Sequence, residues 1–566
     1  MKIVERSFAP RTALSLMKEG ASPVIARALA ARGVTTVAAA NGSLEGLLPY
    51  TALKGAEQMA SIMADAIEAG KQFLVVADYD ADGATACVVA VSALKAFGAN
   101  VSYLIPDRIE HGYGLSPAIV DIAAMQSPRP DYLVTVDNGI AAYAGIERSN
   151  ELGIPVLVTD HHLPGDKDPA ALCVVNPNQR GCEFPSKALA GCGAIYYVMW
   201  ALQDELVFRG WDKIEPDFEV SSLLPSVAIE TVAHVVPLDS NNRALVSEGL
   251  ARIRAGACSM GVKALAAVSG KSIEKLCASD IAFGLGPRIN AAGRLESMTE
   301  GVECLLSMDE SRAVLLARSL HEINDRRKEM ESDMVEEAVR RLICDVQEDR
   351  RTVVLHSDEW HPGVIGIVAG RIKEMVWRPT FILTSEEDGS LKGSGRSIPG
   401  FHLRDALDLV DRRNPGILLK FGGHAMAAGL TLAPGALAAF QKEFEKVACE
   451  FLEATALQQV LEVDGDLEKS EFSLETVSAI RGQVWGQTFP EPLFYGEFNV
   501  IENKLIGNGK HLRLVMEKNG VRVVGVKFRQ SENIRNGKVM LAYKLDENVF
   551  RGESSLQVLV EHIGEQ

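Results

Sequence analysis

The chain has 566 residues, 47% hydrophobic and 23% charged, with a formal net charge of −17. Such a length calls for two to four domains, and the ordinary composition is that of a globular protein. With no apolar run near the roughly 18 residues of a membrane span, membrane insertion is excluded, and the acidic balance excludes a nucleic-acid binder held by its global field. A polyanionic partner would have to be drawn by a local basic groove or by bound cations.

Residues 1–50 predict a helical lead-in, with Ala/Leu/Arg periodicity from Pro23 to Arg32. Over residues 51–305 helix and strand signals alternate at first. Three β-branched apolar runs lead straight into acids: Phe73 to Gly83, Tyr132 to Gly139 and Val156 to His162. A further strand is expected at Val101 to Ile105, and helices at Ala84 to Phe97 and Ala141 to Leu152. Continuous Val/Ile/Leu runs are strands covered on both faces, so this alternation predicts an α/β fold with a doubly wound parallel sheet. An Ala- and Gly-rich helical stretch follows.

Residues 306–348 predict one connecting helix, since Asp309 to Cys344 contains neither Pro nor Gly. At 1.5 Å per residue it spans roughly 50 Å. Residues 349–455 predict a second α/β unit, opening at Arg351 to His356 and carrying Gly-rich turns at His361 to Gly366, Gly393 to Arg396 and Gly422 to Gly429. Residues 456–566 show short alternating strands at Leu512 to Met516, Val521 to Phe528, Val539 to Tyr543 and Leu556 to Val560. They predict a small OB-like β-barrel. On it, Phe494, Tyr495, Phe528, Tyr543 and Phe550 beside Lys510, Arg513 and Arg551 offer base stacking, although most single rings are expected in the barrel core.

In an open parallel sheet ligands collect beyond the carboxyl ends of the strands. Asp78, Asp80, Asp82, Asp137, Asp160, His161 and His162 would then share one edge, and carboxylates so crowded repel unless cations sit between them. A divalent-metal site follows. Asp80 and Asp82, two apart in an extended segment, can face one cation; an isolated D-x-D would otherwise be a helix cap or a turn. Oxygen ligands suit Mg²⁺ or Mn²⁺, and imidazole from His161 favours Mn²⁺. Two such ions can activate water and stabilise the leaving oxygen of a phosphodiester. Of His161 and His162, one is expected to ligate metal and the other to touch substrate phosphate or lock its neighbour's tautomer, with Asp160 as orienting group.

The motifs D-Y-D-A-D-G, V-D-N-G and D-H-H resemble the DHH phosphoesterase superfamily. Arg108 with His111-Gly-Tyr-Gly114, Phe283 to Arg294, Gly422 to Gly429 and the OB-like end narrow the resemblance to its RecJ family. That resemblance implies a single-stranded-DNA-specific 5′-to-3′ exonuclease of DNA repair and recombination, using two Mn²⁺ or Mg²⁺ ions. By motif, Asp80, Asp82, Asp137 and His161 would be catalytic metal ligands, Asp137 bridging, with Asp78 in support. His162 would face the scissile phosphate. Arg108, Arg288, Asn290 and Arg294 would bind substrate, the last three from a Gly/Pro-rich turn. Ser394, Arg396 and His424, on Gly-rich loops, would hold the 5′ end. Single-strand-binding protein and a RecQ-type helicase are the implied partners, and a monomer without membrane contact is expected. Nine scattered cysteines without a C-x-x-C pair, and the absence of a signal-peptide core after Met1, predict a reducing cytoplasm.

One motif departs. Where the family pattern is G-T-V-A-D-V-V-P-L with a ligand Asp, this chain has Glu230 to Leu238, with His234 for the Asp and Glu230 for the Gly. Imidazole binds Mn²⁺ but suits Mg²⁺ poorly, so His234 as a metal ligand predicts weakened activity or a Mn²⁺ preference. A side chain at position 230 could also shift the turn and carry His234 out of reach. Two other functions compete: a DHH phosphoesterase for short oligonucleotides or cyclic dinucleotides, and a catalytically impaired DNA-binding scaffold. The terminal barrel argues against the first, and the otherwise complete ligand set against the second.

Overall fold

The computed structural model describes residues 1–107, 111, 114–344, 350–550 and 552–564, so Arg108 and Arg551 lie outside the described residues. The chain forms two compact units. One comprises Glu5–His321 and Glu462–Gln566, the other Met1–Val4 and Glu322–Leu461. No described helix is long and apolar enough to cross a membrane.

The first unit is built on strands β1 (Gln72–Ala77), β2 (Asn100–Leu104), β3 (Tyr132–Val136), β4 (Val156–Thr159) and β5 (Cys173–Val175). They pair in the order β2-β1-β3-β4-β5, all parallel. Alternation sends Leu74, Val76, Leu133 and Val156 into one core, and Phe73, Val75, Ala77, Val134 and Val136 into another. Both faces are thus covered, which is why the strands are apolar throughout.

Helix α1 (Ala81–Ala96) is buried nearly all round, packed against α2 (Gly191–Phe208) and α3 (Leu224–Ala233). An apolar helix without a polar face belongs in such a position. The expected Gly/Pro-rich turn at 283–294 is instead a π-helical turn, Ile281–Leu285, running directly into α4 (Gly286–Leu295). Pro287 permits this because it stands in the first turn, where its missing N–H is no loss. Arg288, Asn290 and Arg294 therefore project from a helix.

α5 (Glu310–Cys344) is the predicted long helix, with 35 residues. The second unit holds β6 (Val353–His356), α6 (Ile365–Val376), β7 (Thr380–Ser385), β8 (Leu391–Arg396), β9 (Leu418–Gly423) and β10 (Ala427–Leu432). Its sheet runs β9-β10-β8-β7-β6, antiparallel except for β6 beside β7. Residues 393–396 form no loop. A Cβ at Gly393 would stand 2.8 Å from Leu430, and one at Gly395 2.5 Å from Phe381, so these glycines permit close packing on one face of β8. Ser394 and Arg396 occupy the other face.

Back in the first unit, β11 (Phe494–Ile506), β12 (His511–Lys518), β13 (Val521–Phe528), β14 (Gly537–Phe550) and β15 (Glu553–Ile563) close a barrel in the order β11-β12-β13-β15-β14. Phe494 and Tyr543 fill its interior, while Phe528 and Phe550 are exposed. The N-terminal lead-in is tied to the start of this segment by Arg32, whose Nη1 and Nη2 donate to Asp464 Oδ1 (2.7 Å) and Oδ2 (3.0 Å).

Candidate metal centre

β1, β3 and β4 stop at one level, because Ala77 pairs with Val136 and Val136 with Thr159. The next residues, Asp78, Asp137 and Asp160, consequently stand side by side. β2 and β3 flank β1 on opposite sides, so the winding reverses between β1 and β3. At such a switch point an open parallel sheet leaves a crevice for ligand.

Local geometry fixes each side chain. Asp137 takes φ 60°, an uncommon left-handed conformation, in a turn that Asn138 braces by donating Nδ2 to the carbonyls of Val76 (3.1 Å) and Val136 (2.9 Å). Asp80 caps α1, its Oδ1 accepting from the backbone N–H of Asp82 (2.9 Å) and Gly83 (3.1 Å). A Cβ at Gly83 would stand 2.3 Å from the Asp78 carbonyl oxygen, and one at Gly293 of α4 1.8 Å from that of Tyr79. The acidic turn is thus clamped by bare backbone on two sides. Asn290 adds to the clamp by accepting from the Ala81 N–H at 3.1 Å.

Asp82 lies inside α1, fully buried, and accepts from the N–H groups of Gly191 (2.8 Å) and Cys192 (2.6 Å) at the start of α2. Asp160 accepts from the N–H groups of Ile140 (2.9 Å), His161 (2.7 Å) and His162 (3.0 Å), and its Oδ1 lies 2.8 Å from His162 Nδ1. These are the contacts that the sequence expectation of an orienting group calls for. Asn178 and Asn176 donate to the carbonyls of His161 (2.6 Å) and His162 (2.9 Å) and hold the histidine pair from behind. Sequence reasoning missed both, although an Asn-Pro-Asn following a strand is a local signal.

Among the described residues three trios of donor atoms result, each within 4.8 Å: Asp78, Asp80 and Asp137; Asp137, His161 and His162; and Asp82, His161 and His234. Asp137 and His161 are each shared by two of them. Asp80 and Asp82 fall in different trios, contrary to the expectation that they face one cation, because Asp82 is helical rather than extended. Asp80 is a helix cap and a member of a trio at once. His234 is within reach: its Nδ1 lies 3.9 Å from Asp82 Oδ2 and its ring 5.1 Å from that of His161.

Electrostatics set the protonation states. Burial pushes the Asp137 carboxyl well above the usual range, and the charges of Asp82, Asp80 and Asp78 push it further. Burial also raises Asp82, against the pull of His234. Burial, then the neighbouring His162 and His234, force His161 down to about 3, so its ring is neutral. Burial opposes charge on His162 too, but the hydrogen bond to Asp160 and its charge outweigh it and raise the pKa. For His234, burial is likewise outweighed, by the Glu230 carboxylate and then Asp82, and the pKa is pushed up to about 10.

His161 Nε2 lies 3.2 Å from Asp137 Oδ1 and 3.6 Å from Asp82 Oδ2, and finds no hydrogen bond among the described residues. A buried ring nitrogen set between two acid oxygens without a hydrogen bond is answered by a cation standing among them. The donor set of carboxylate oxygens with imidazole nitrogen fits Mn²⁺ or Mg²⁺.

The expected substrate groups are placed as follows. Arg288 is buried and donates to the carbonyl of Gly284 (2.6 Å), with Nε 3.2 Å from His321 Nδ1. Arg294 is half-buried on α4. In the second unit Arg396 donates to Ser394 Oγ (3.3 Å) and the Gly395 carbonyl (2.8 Å), and burial lowers its pKa. His424 is exposed in the turn after β9.

Three family models match the chain: the DHH family, N-terminal domain, at residues 72–224; the DHHA1 domain at 349–450; and the RecJ OB domain at 463–562. The chain is 45% identical over 556 residues to the single-stranded-DNA-specific exonuclease RecJ of Escherichia coli (strain K12), covering 96% of each protein. The crystal structure of RecJ in complex with Mn²⁺ from Thermus thermophilus superposes with a TM-score of 0.82 at 30% identity, covering all 100% of this chain and 79% of that one. Its Mg²⁺ complex superposes at 0.77 and 29% identity, over 100% and 78% of the two chains. Likeness of that extent, in sequence and in backbone, makes the chain a member of the RecJ family of the DHH superfamily.

Proposed function

We propose that this chain is a metal-dependent exonuclease that hydrolyses phosphodiester bonds of single-stranded DNA from the 5′ end, in repair and recombination. Residues 51–305 form its catalytic domain and 306–348 the connecting helix. Residues 349–455 bind substrate, 456–566 nucleic acid, and 1–50 are the lead-in. The observation that carries the reading is the overlap of three donor trios through Asp137 and His161 at adjacent strand ends. Relatives named as single-stranded-DNA-specific exonucleases, and family structures holding Mn²⁺ and Mg²⁺, support it.

Two divalent ions would be held by Asp80, Asp82, Asp137, His161 and His234, with Asp78 in reach of the first trio and Asp137 common to both sites. When bound, such ions polarise phosphate oxygens and lower the pKa of water. His162, with Nδ1 held by Asp160, can offer Nε2 to a phosphate oxygen. Neutral His161 keeps its lone pair for ligation. Asp160 fixes the tautomer of one histidine and the backbone of both.

Arg396 and Ser394 form the anion cradle for the 5′ phosphate, with His424 beside them. Among the described residues no carboxylate pairs with the Arg396 guanidinium, so a phosphate would satisfy it. Arg108, Asn290 and Arg294 complete the substrate set, and Arg288 serves it by holding the π-helical turn. The exposed Phe528 and Phe550 are the barrel's stacking candidates, since Phe494 and Tyr543 are interior. The enzyme acts as a cytoplasmic monomer, receiving single strands from single-strand-binding protein and a RecQ-type helicase.

The test is digestion of end-labelled single-stranded DNA, duplex and dinucleotide in Mg²⁺ or Mn²⁺. Single strands are degraded best, with Mn²⁺ preferred. Asp137→Ala loses at least roughly a hundredfold in rate, and His234→Asp regains activity in Mg²⁺. Equal rates for the parent and Asp137→Ala, or preference for dinucleotides, overturn the proposal.

A further inference from the structure

We propose that Glu230 is a positioning residue of the metal centre, acting through His234; this rests on the reading of Asp82, His161 and His234 as metal donors. Glu230 lies on α3 four residues before His234, a spacing that puts both side chains on one helical face. It is 1% exposed, and its Oε1 stands 3.4 Å from His234 Nδ1. Its other oxygen, Oε2, is buried with no hydrogen-bond donor among the described residues.

A buried carboxylate is costly unless something charged or polar answers it. Here no backbone N–H or arginine among the described residues does so, and the imidazole of His234 is its one ion-pair contact. Glu230 therefore caps no helix and ties no elements together. Its carboxylate acts on the ring alone.

That ring is fixed at its backbone as well. The His234 N–H donates to the Glu230 carbonyl at 2.8 Å, the last helical bond of α3, and Val235 then ends the helix at φ 62°. Nδ1 of the ring stands between Glu230 Oε1 at 3.4 Å and Asp82 Oδ2 at 3.9 Å, so the Glu230 carboxylate sets the angle at which the ring enters the trio. A side chain at 230 thus does not carry His234 out of reach. It sets the ring angle with which His234 meets Asp82 and His161.

The test measures Mn²⁺ affinity of the metal-stripped full chain, by titration calorimetry and by electron paramagnetic resonance of free Mn²⁺. Glu230→Met keeps the volume and removes the acceptor, whereas Glu230→Gln keeps an acceptor oxygen. Glu230→Met weakens Mn²⁺ binding about tenfold, and Glu230→Gln stays within about threefold of the parent, as a group acting through one hydrogen-bond acceptor must. In a His234→Ala background Glu230→Met adds nothing further. Unchanged affinity in Glu230→Met, or an equal loss with and without His234, overturns the proposal. Asp82→Ala separates the two levels of inference. If it weakens Mn²⁺ binding while Glu230→Met does not, only the positioning role falls; if neither does, the metal centre falls and Glu230 with it.

Discussion

Replacing Asp137 by Asn should make the metal-free protein more stable and blind to metal. The side chain is 1% exposed, and its donor atom lies within 4.8 Å of those of Asp78 and Asp80. At an effective dielectric of about 20, two unit charges at that separation repel by about 3.5 kcal/mol. Two such repulsions come to about 7 kcal/mol or more between fixed charges, which proton uptake and relaxation reduce to about 2 kcal/mol. The pH dependence has a definite sign. Burial and the neighbouring acids raise the folded-state pKa of Asp137 above its unfolded value. Such an acid takes up protons on folding, so its penalty is absent below about pH 4 and grows as pH rises toward the raised folded value. The gain from Asp137→Asn should follow the same course. Hydrogen exchange of β1 and β3 amides, read by mass spectrometry in chelator at pH 5 and pH 8, isolates the unit that holds the centre. At pH 8 a gain of about 2 kcal/mol slows their exchange roughly 30-fold. Mn²⁺ at a hundred times its dissociation constant should protect the parent by about 2.7 kcal/mol and leave the variant unmoved. Exchange in the variant no slower than in the parent at pH 8, or equal protection of both by Mn²⁺, refutes the reasoning.

Gly83→Ala places a Cβ 2.3 Å from the Asp78 carbonyl oxygen and 2.7 Å from its nitrogen, both backbone atoms. It should cost about 2–3 kcal/mol in urea unfolding and weaken Mn²⁺ binding at least about tenfold, because the acidic turn must move. Val235→Gly relieves a β-branched residue at φ 62° and should stabilise the protein by about 1 kcal/mol, read as a higher denaturant midpoint at unchanged slope. Asp464→Ala takes the one carboxylate from the Arg32 guanidinium, whose side chain is 3% exposed and which keeps only the carbonyls of Ala28 and Pro490 and the Trp485 ring among the described residues, and should cost about 3 kcal/mol. Arg32→Met on top of it should recover part of that loss in the same unfolding assay.

What the sequence made legible, and what it hid, divides along a physical line. In a parallel sheet, neighbouring strands end together, so an acid directly after each Val-rich run becomes a shared edge; Asp78, Asp137 and Asp160 were readable for that reason. Glycine is less decisive, since it serves turns and close packing equally. Gly422 and Gly423 lead into a turn before His424, whereas Gly393 and Gly395 make room inside β8 for Leu430 and Phe381. An arginine in a motif announces a charge but not its partner, and Arg288 gives its guanidinium to its own neighbourhood. Glu230 carries no local mark, because its meaning lies four residues on, in the ring of His234.

Asp82 shows most sharply why periodicity has to be anchored before it can be used. Counted as extended chain, it points with Asp80 toward one cation; the helix expected from Ala84 would have allowed that. Asp80 takes the cap instead, the helix begins at Ala81, and each residue now turns by about 100° rather than 180°. Asp82 is swung inward to the N–H groups of Gly191 and Cys192 and joins His161 and His234. The cap that separates the two acids also gives them different neighbours, so that two donor trios stand where one was expected, joined through Asp137 and His161. The division of the acids between two trios thus follows from a helix starting three residues early, which a count of acids in the motif does not disclose.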